Sequence, residues 1–343
     1  MGDALPSNRL TAAFERRARE ALNARVDRRA AVVVACSGGP DSTAALIAVA
    51  RSRGAGAGKI TAATFDHGIR AETETAADRA AVESIASRLG VPCLHGEATG
   101  LTAVASEAAA REARYRWLAD ACRAAGARYC VTGHTLDDQS ETVLMRLVRG
   151  TGLGGAAGMA ASAAWPVSCG ADELWVVRPL LGVRRLEVLA YLTVLGVEPR
   201  FDATNELVTF DRNRIRHRVL PELRAVNPRA DEALTHFAAL ARRDDDALEA
   251  WAQRETAESV THIEEAAYIA RARLRALPEA VASRVLRQAA RGAGIQLDGI
   301  QVESLLRLMR RRGSMLSLAG GSAVIEDDAV VIRRHSASGM GGR

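Results

Sequence analysis

At 343 residues, 48% of them hydrophobic and 25% charged, the chain is long enough for two domains with separate cores. That composition excludes a disordered or fibrous protein and a disulfide-held mini-scaffold. The net charge of +5 permits a polyanionic partner, and 45 of the 46 basic residues are arginine, Lys59 being the sole lysine. Lys59 sits in GAGAGK with no motif around it. A Schiff-base or phosphate-gripping protein lysine is therefore not expected, and any amine the chemistry needs should come from a substrate.

The N-terminus has no signal-type apolar core, and Asp3, Glu15, Glu20 and Asp27 do not suit an organelle transit peptide. No apolar run reaches the ~18 to 20 residues that span a bilayer. A cytoplasmic protein with no membrane partner is the expectation. Cys36, Cys93, Cys122, Cys130 and Cys169 include no C-x-x-C pair and no zinc spacing, so reduced, mostly buried thiols are expected.

Residues 10 to 25 have the spacing of an amphipathic helix with an Arg-rich outer face. AVVVA at 31 to 35 is a buried strand feeding the glycine turn SGGPDS, and TAALIAVARSR continues as a helix until the glycines at 54 to 58. ITAATF at 60 to 65 reads as a strand, 72 to 89 as a helix, VPCLHG as a strand, 103 to 125 as an alanine-rich helix and RYCVTG at 128 to 133 as a fourth strand. Such alternation predicts an α/β domain with a parallel sheet, whose ligands sit at the carboxyl ends of the strands. The Gly, Ala and Ser content of 150 to 170 suggests a mobile loop; WVVRPLL restores a strand and 182 to 195 a helix. A domain boundary is placed at 217/218. Beyond it, 229 to 312 reads as mainly helical, with breaks at Pro278 and at 292 to 299, and 314 to 334 as a small antiparallel β unit.

SGGPDS after an apolar strand is the strongest local signal. Gly38 and Gly39 let backbone N–H groups close around a pyrophosphate, the helix behind Pro40 adds its positive end, and Ser37 and Ser42 supply hydroxyls. Asp41 beside phosphates calls for a cation, and Mg²⁺ would supply it. A plain glycine turn with an Asp/Ser cap is the simpler alternative. GHTLDDQSETVLMRLVRG spaces His134, Asp138 and Glu141 at i, i+4 and i+7 on one helical face, with Val143, Leu144, Leu147 and Val148 as an apolar stripe. That polar face can bind Mg²⁺, hold an amine or take its proton; a solvated charged face is the alternative. Gly150, Gly152 and Gly155 spell G-x-G-x-x-G but follow a helix rather than a strand, so a loop is expected there. DHGIR at 66 to 70 follows the second strand, where a nucleotide's base or ribose would lie. REARYR carries Arg111, Arg114 and Arg116, and DRNRIRHR at 211 to 218 is a basic run suited to phosphates.

In this order, SGGPDS, DHGIR, REARYR, TGHTLDDQSETVLMRLVRGTGLGGAAGM, RPLL and DATNELVTFDRNRIRHRVLPEL resemble the PP-loop ATP pyrophosphatase superfamily, and within it the tRNA(Ile)-lysidine synthase family. The match covers roughly residues 31 to 223. Asp66 stands where many members have a second histidine, and the C-terminal third is similar in layout only, too short for the extra terminal domain of longer members.

The resemblance implies that ATP adenylates O2 of the wobble cytidine in CAU-anticodon tRNA(Ile), after which free L-lysine attacks through its side-chain amine and expels AMP. The lysidine formed changes codon reading from AUG to AUA. It implies ATP and Mg²⁺ as ligands, with Ser37, Gly38, Gly39, Pro40, Asp41, Ser42, Asp66, His67, Arg70 and Gly133 binding nucleotide. Asp41, Arg114, His134, Asp138, Glu141 and Arg212 form the reacting centre, Asp41, Asp138 and Glu141 being the metal candidates. Arg149 to Met159 forms a loop over the site, and residues 218 to 343 bind tRNA through arginine–phosphate contacts. A homodimer is compatible with the sequence. The competing readings are a PP-loop tRNA thiolase, a GMP-synthetase-like ligase and a non-catalytic nucleotide or tRNA-binding module.

Overall fold

The computed structural model describes residues 5–54, 56–68, 72–98, 107–200 and 211–335. It divides into two compact units, Met1–Ala239 and Leu240–Arg343. Residues 218–239 thus pack with the first unit.

The first unit runs α1 (Arg9–Asn23), β1 (Val32–Ala35), α2 (Pro40–Arg53), β2 (Ile60–Asp66), α3 (Glu72–Arg88), β3 (Cys93–Glu97), α4 (Glu107–Ala124), β4 (Tyr129–Val131) and α5 (Leu136–Val148). It continues with α6 (Leu153–Ala156), β5 (Ser162–Ala164), β6 (Trp175–Val177), α7 (Arg185–Val194), α8 (Asp211–Arg214), a π-helical turn Ile215–Val219, α9 (Leu220–Val226) and the start of α10 (Ala230–Ser259). The sheet order is β3-β2-β1-β4-β6-β5, parallel except for the antiparallel edge strand β5. The predicted parallel α/β sheet is present.

The apolar runs of β1 and β6 follow from burial on both sheet faces. Val32 and Val34 pack with Leu46 and Val49 of α2 and Val82 and Ala86 of α3, whereas Val33 packs with Leu118, Ala119 and Cys122 of α4. Helix α2 lies between the sheet and a second layer, its Ala44, Ile47 and Ala48 meeting Phe14 of α1 and Val188, Tyr191 and Leu192 of α7. Being covered all round, α2 needs no polar face, which is why TAALIAVA carries none.

The segment 150 to 170 is better tied than its composition suggests. Gln139 exchanges two hydrogen bonds with the Met159 backbone, at 2.7 and 3.0 Å, and Arg146 Nη1 donates to the Gly155 and Gly158 carbonyls at 3.1 and 2.9 Å. Gly152 and Gly155 fall at the start and inside of α6, and β5 follows. Small residues hid this order because its hydrogen bonds come from side chains on α5.

The second unit carries a five-stranded antiparallel sheet in the order β7-β8-β11-β10-β9, from β7 (Val260–Ile263), β8 (Ala266–Ala270), β9 (Met315–Leu318), β10 (Gly321–Ile325) and β11 (Ala329–Arg334). Its helices are α11 (Arg271–Ala276), α12 (Glu279–Gly292) and α13 (Gly299–Leu308). Val281, Val285, Leu286 and Ala289 of α12 bury one face in the core with Ile269, Ile325, Val330 and Ile332. The expected β unit at 314 to 334 is there, but the mainly helical reading of 229 to 312 is corrected at 260–270. Hairpin β7–β8 turns on Glu264, at φ 52°, and Glu265 rather than on Gly or Asn, so the usual turn signature is missing.

Candidate active site

In the parallel sheet, β1 and β4 are neighbours whose following segments diverge, and a crevice opens at their carboxyl ends as expected for this topology. The cleft there has a volume of about 800 Å³ and is lined by Ser37, Gly39, Pro40, Asp41, Ser42, Asp66, His67, Arg114, Gly133 and His134, among others. Arg70 and the segment 201–210 lie outside the described residues.

The turn after β1 is built as a backbone cradle. Gly38 adopts φ +84°, closed to most side chains. The Ser42 hydroxyl accepts from the Ser37 N–H at 3.1 Å and donates to the Gly39 carbonyl at 3.0 Å, and Pro40 fills the first turn of α2 where no N–H is needed. Gly133, after β4, is glycine for a steric reason. A Cβ there would lie 2.5 Å from the Asp41 carbonyl oxygen and 2.7 Å from the Ser42 nitrogen.

Asp41 sits at the mouth of this cradle with its two oxygens in different surroundings. Oδ2 accepts from Arg185 Nε at 3.1 Å and from Arg185 Nη2, while Oδ1 is buried and accepts no hydrogen bond among the described residues. Burial raises the Asp41 pKa; Arg185 opposes the rise and Asp138 adds to it. Such an orphaned buried carboxylate oxygen fits a hard cation, and Mg²⁺ commonly takes one or two protein carboxylates with substrate phosphates. A three-carboxylate centre is not assembled. Among the described residues no three His, Cys, Asp or Glu side chains are grouped to hold a metal.

Asp138 and Glu141 instead belong to an arginine-paired cluster. Glu141, only 2% exposed, accepts from Arg216 Nε at 2.6 Å, Arg216 Nη2 at 2.9 Å and Arg212 Nε at 2.8 Å. Asp138 Oδ1 accepts from Arg212 Nη2 at 3.1 Å, and Oδ2 from the Thr135 N–H and hydroxyl, each at 2.9 Å. Burial alone would raise the Asp138 pKa, but Arg212, His134, the Thr135 N–H and Arg185 together hold it below the usual carboxylate range. Asp138 is thus also the reciprocal partner in the N-terminal capping box of α5.

Helix α5 buries its polar face, and of the expected apolar stripe Val143 is buried with it and Leu144 is half-buried. Asp138, Gln139, Ser140 and Glu141 are buried, while Leu147 and Val148 of the expected apolar stripe are 40% and 81% exposed. Arginines from 212 to 224 cover the polar face. A second network lies behind: Arg224 grips Asp231 at 2.7 and 2.9 Å and Asp137 at 3.0 Å, and Arg184 reaches Asp231 at 3.1 Å.

His134 is not on α5. It precedes the cap Thr135, and its Nδ1 shares a 2.8 Å hydrogen bond with the Thr132 hydroxyl. Burial first, then Arg178, Arg212 and Arg114, press its pKa down to about 4 against the pull of Asp138, so the ring is neutral at pH 7. Arg114 lines the cleft, has no carboxylate partner among the described residues and has its pKa lowered by burial. Its neighbours in REARYR are spent elsewhere, Arg111 over the Tyr115 ring at 4.8 Å and Arg116 on Glu112 at 2.7 Å. Asp66 accepts from the Gly68 N–H at 2.8 Å, and His67 packs edge-on against Phe65. Arg185, on Asp41, and Arg216, on Glu141, join these residues without a motif of their own in the sequence. Arg216 stands four residues after Arg212 in the basic run, a helical spacing that points to it; nothing local marks Arg185.

The profile of the PP-loop domain family matches residues 10–223. A tRNA(Ile)-lysidine synthase of Thermobifida fusca is 38% identical over 288 residues, covering 81% of this chain and 82% of that one. Another, of Solibacter usitatus, is 36% identical over 282 residues, covering 82% of this chain but 61% of its own length. Among solved structures, the U34-tRNA thiolase NcsA of Methanococcus maripaludis, with its 4Fe-4S cluster, superposes with a TM-score of 0.56 at 14% identity, over 68% of this chain and 80% of that one, a likeness of fold alone. By its PP-loop domain and its extended identity to these relatives, the chain belongs to the tRNA(Ile)-lysidine synthase family.

Proposed function

We propose that this protein is an ATP-dependent tRNA(Ile)-lysidine synthase. The observation that supports the reading is a lysine-free phosphate cradle packed against Gly133, just before α5, whose buried carboxylate pair Asp138 and Glu141 is held by arginines beside the cleft rather than in its lining. The first step joins cytidine O2 to the α-phosphorus of ATP and releases pyrophosphate. In the second, the lysine side-chain ammonium gives up a proton to solvent, its nitrogen bonds to C2, the C2–O2 bond breaks, and AMP leaves with O2.

Each residue has a role suited to its surroundings. Ser37, Gly38, Gly39, Pro40 and Ser42 bind the leaving pyrophosphate through backbone N–H groups and hydroxyls, with Gly133 allowing the close approach. Asp66, which ends β2, and His67, which follows it, take the base and ribose side. Asp41, with phosphate oxygens, would hold Mg²⁺, which neutralises triphosphate charge when bound. Arg114 and Arg212 stabilise charge on the phosphates and the activated cytidine. Asp138 and Glu141 orient the lysine ammonium, exchanging guanidinium for ammonium contacts. Neutral His134 serves as a hydrogen-bonding group beside them. Residues 218 to 343 bind the tRNA; exposed arginines such as Arg275, Arg291, Arg310 and Arg311 suit its phosphates.

The test is ATP-dependent transfer of labelled lysine to CAU-anticodon tRNA(Ile), scored after alkali has removed ordinary aminoacyl esters. Alkali-stable label that is lost in Asp138→Asn is expected. Because Asp138 also caps α5, the variant's melting temperature is measured alongside. No stable label, yet tRNA-stimulated pyrophosphate release, would overturn the lysine assignment and favour sulfur delivery. Against that rival, burial raises the pKa of Cys36 and brings Cys93 up to about 11, leaving neither poised as a thiolate.

A further inference from the structure

Arg185 opens α7 far along the chain from the cradle, yet it lines the same cleft as Ser37, Asp41 and Ser42. Its backbone N–H donates to Asp137 Oδ2 at 2.8 Å, which anchors the start of the helix. The side chain is committed to one atom: Nε and Nη2 both donate to Asp41 Oδ2. Nη1 makes no hydrogen bond among the described residues, and the side chain is 33% exposed.

This arrangement is out of proportion to a simple clamp. Two donors converge on a single oxygen while Asp41 Oδ1, buried, stays unpaired. A bidentate pair with one donor on each oxygen would satisfy both. Asp41 is the residue whose carboxylate faces a cation once phosphates arrive, and a planar guanidinium within the same cleft matches phosphate oxygens as well as carboxylate ones.

We propose that Arg185 is a phosphate-binding residue as well as the partner of Asp41, and that it passes to the β- and γ-phosphate oxygens when nucleotide binds, freeing Asp41. The inference rests on the nucleotide reading above. The backbone anchor on Asp137 lets the side chain change partner without moving α7, and the exchange keeps Asp41 neutralised both before and after binding.

Equilibrium binding of ATP, inorganic pyrophosphate and AMP to the full chain with Mg²⁺ held constant tests this, using Arg185→Ala, Arg185→Lys and Arg185→Gln, with melting temperatures recorded. Loss of a charge-assisted contact should weaken ATP and pyrophosphate by about tenfold or more in Arg185→Ala, leave AMP unchanged, and be partly restored in Arg185→Lys. Equal weakening of ATP and AMP with a lowered melting temperature would make Arg185 a structural clamp, and no change in any ligand would remove it from the site. If Arg185→Ala does not fold, Arg185→Lys and Arg185→Gln carry the comparison. Failure of the unsubstituted protein to bind ATP or pyrophosphate would instead defeat the nucleotide reading itself.

Discussion

Gly133 and Asp41 are in backbone contact: a Cβ on the first would stand 2.5 Å from the carbonyl oxygen of the second. The atoms met are backbone, at the start of a helix packed on both sides, and cannot rotate away. Gly133→Ala must push the cradle off its geometry, at a cost of about 1–3 kcal/mol for overpacking. Nucleotide binding should be lost in a protein that still folds, measured by ATP equilibrium dialysis beside urea unfolding. Unchanged affinity would mean that the cradle does not depend on this contact.

Glu141 is almost fully buried and carries two guanidinium groups. Removing one partner of such a pair leaves a poorly compensated charge, so Arg216→Ala should destabilise the first unit by about 3 kcal/mol. In Arg216→Ala/Glu141→Gln the loss should be smaller than the sum of the two single effects. A double-mutant cycle by denaturant unfolding reads the coupling, and strict additivity would contradict the buried network.

His134 titrates near pH 4 in the folded chain against an ordinary value of 6.5. Its folded pKa is depressed, so the unfolded chain takes up the proton first as pH falls. The stability this provides is complete above pH 6.5 and drains away between 6.5 and about 4, on the order of 3 kcal/mol in full. Unfolding at pH 7.5 and 4.5 should show a steeper acid loss in the unsubstituted protein than in His134→Gln. Parallel pH profiles would refute the neutral imidazole.

Cys36, Cys122 and Cys130 are buried, and Cys93 and Cys169 are partly so, all as free thiols. Burial brings Cys93 up to about 11, which leaves a thiol of low nucleophilicity at neutral pH. Cys93→Ser and Cys169→Ser should keep lysine transfer within about twofold, since exposed or partly exposed substitutions of similar shape cost little. Abolished activity in either, with folding intact, would reopen sulfur chemistry.

Much of the first unit is legible in the sequence. Short apolar runs alternating with helical periods dictate a parallel sheet, because a strand buried on both faces leaves no polar alternation to read. The cradle was equally plain, since Gly38 and Gly39 after β1 and Ser42 at the head of α2 are local chemistry. Hairpin β7–β8 was not legible, its turn being made by Glu264 and Glu265.

What the linear pattern determined was which residues carry chemistry; which of them meet was left to the fold. Asp138 and Glu141 read as a polar helical face open to Mg²⁺, an amine or water, but Arg212 and Arg216 come from some 70 positions later to cover it. Arg185 reaches Asp41 across a sequence separation of 144 residues. Ion pairing depends on distance through space, and only the packing of α7 against α2 and of the 212–224 segment on α5 brings those charges within reach.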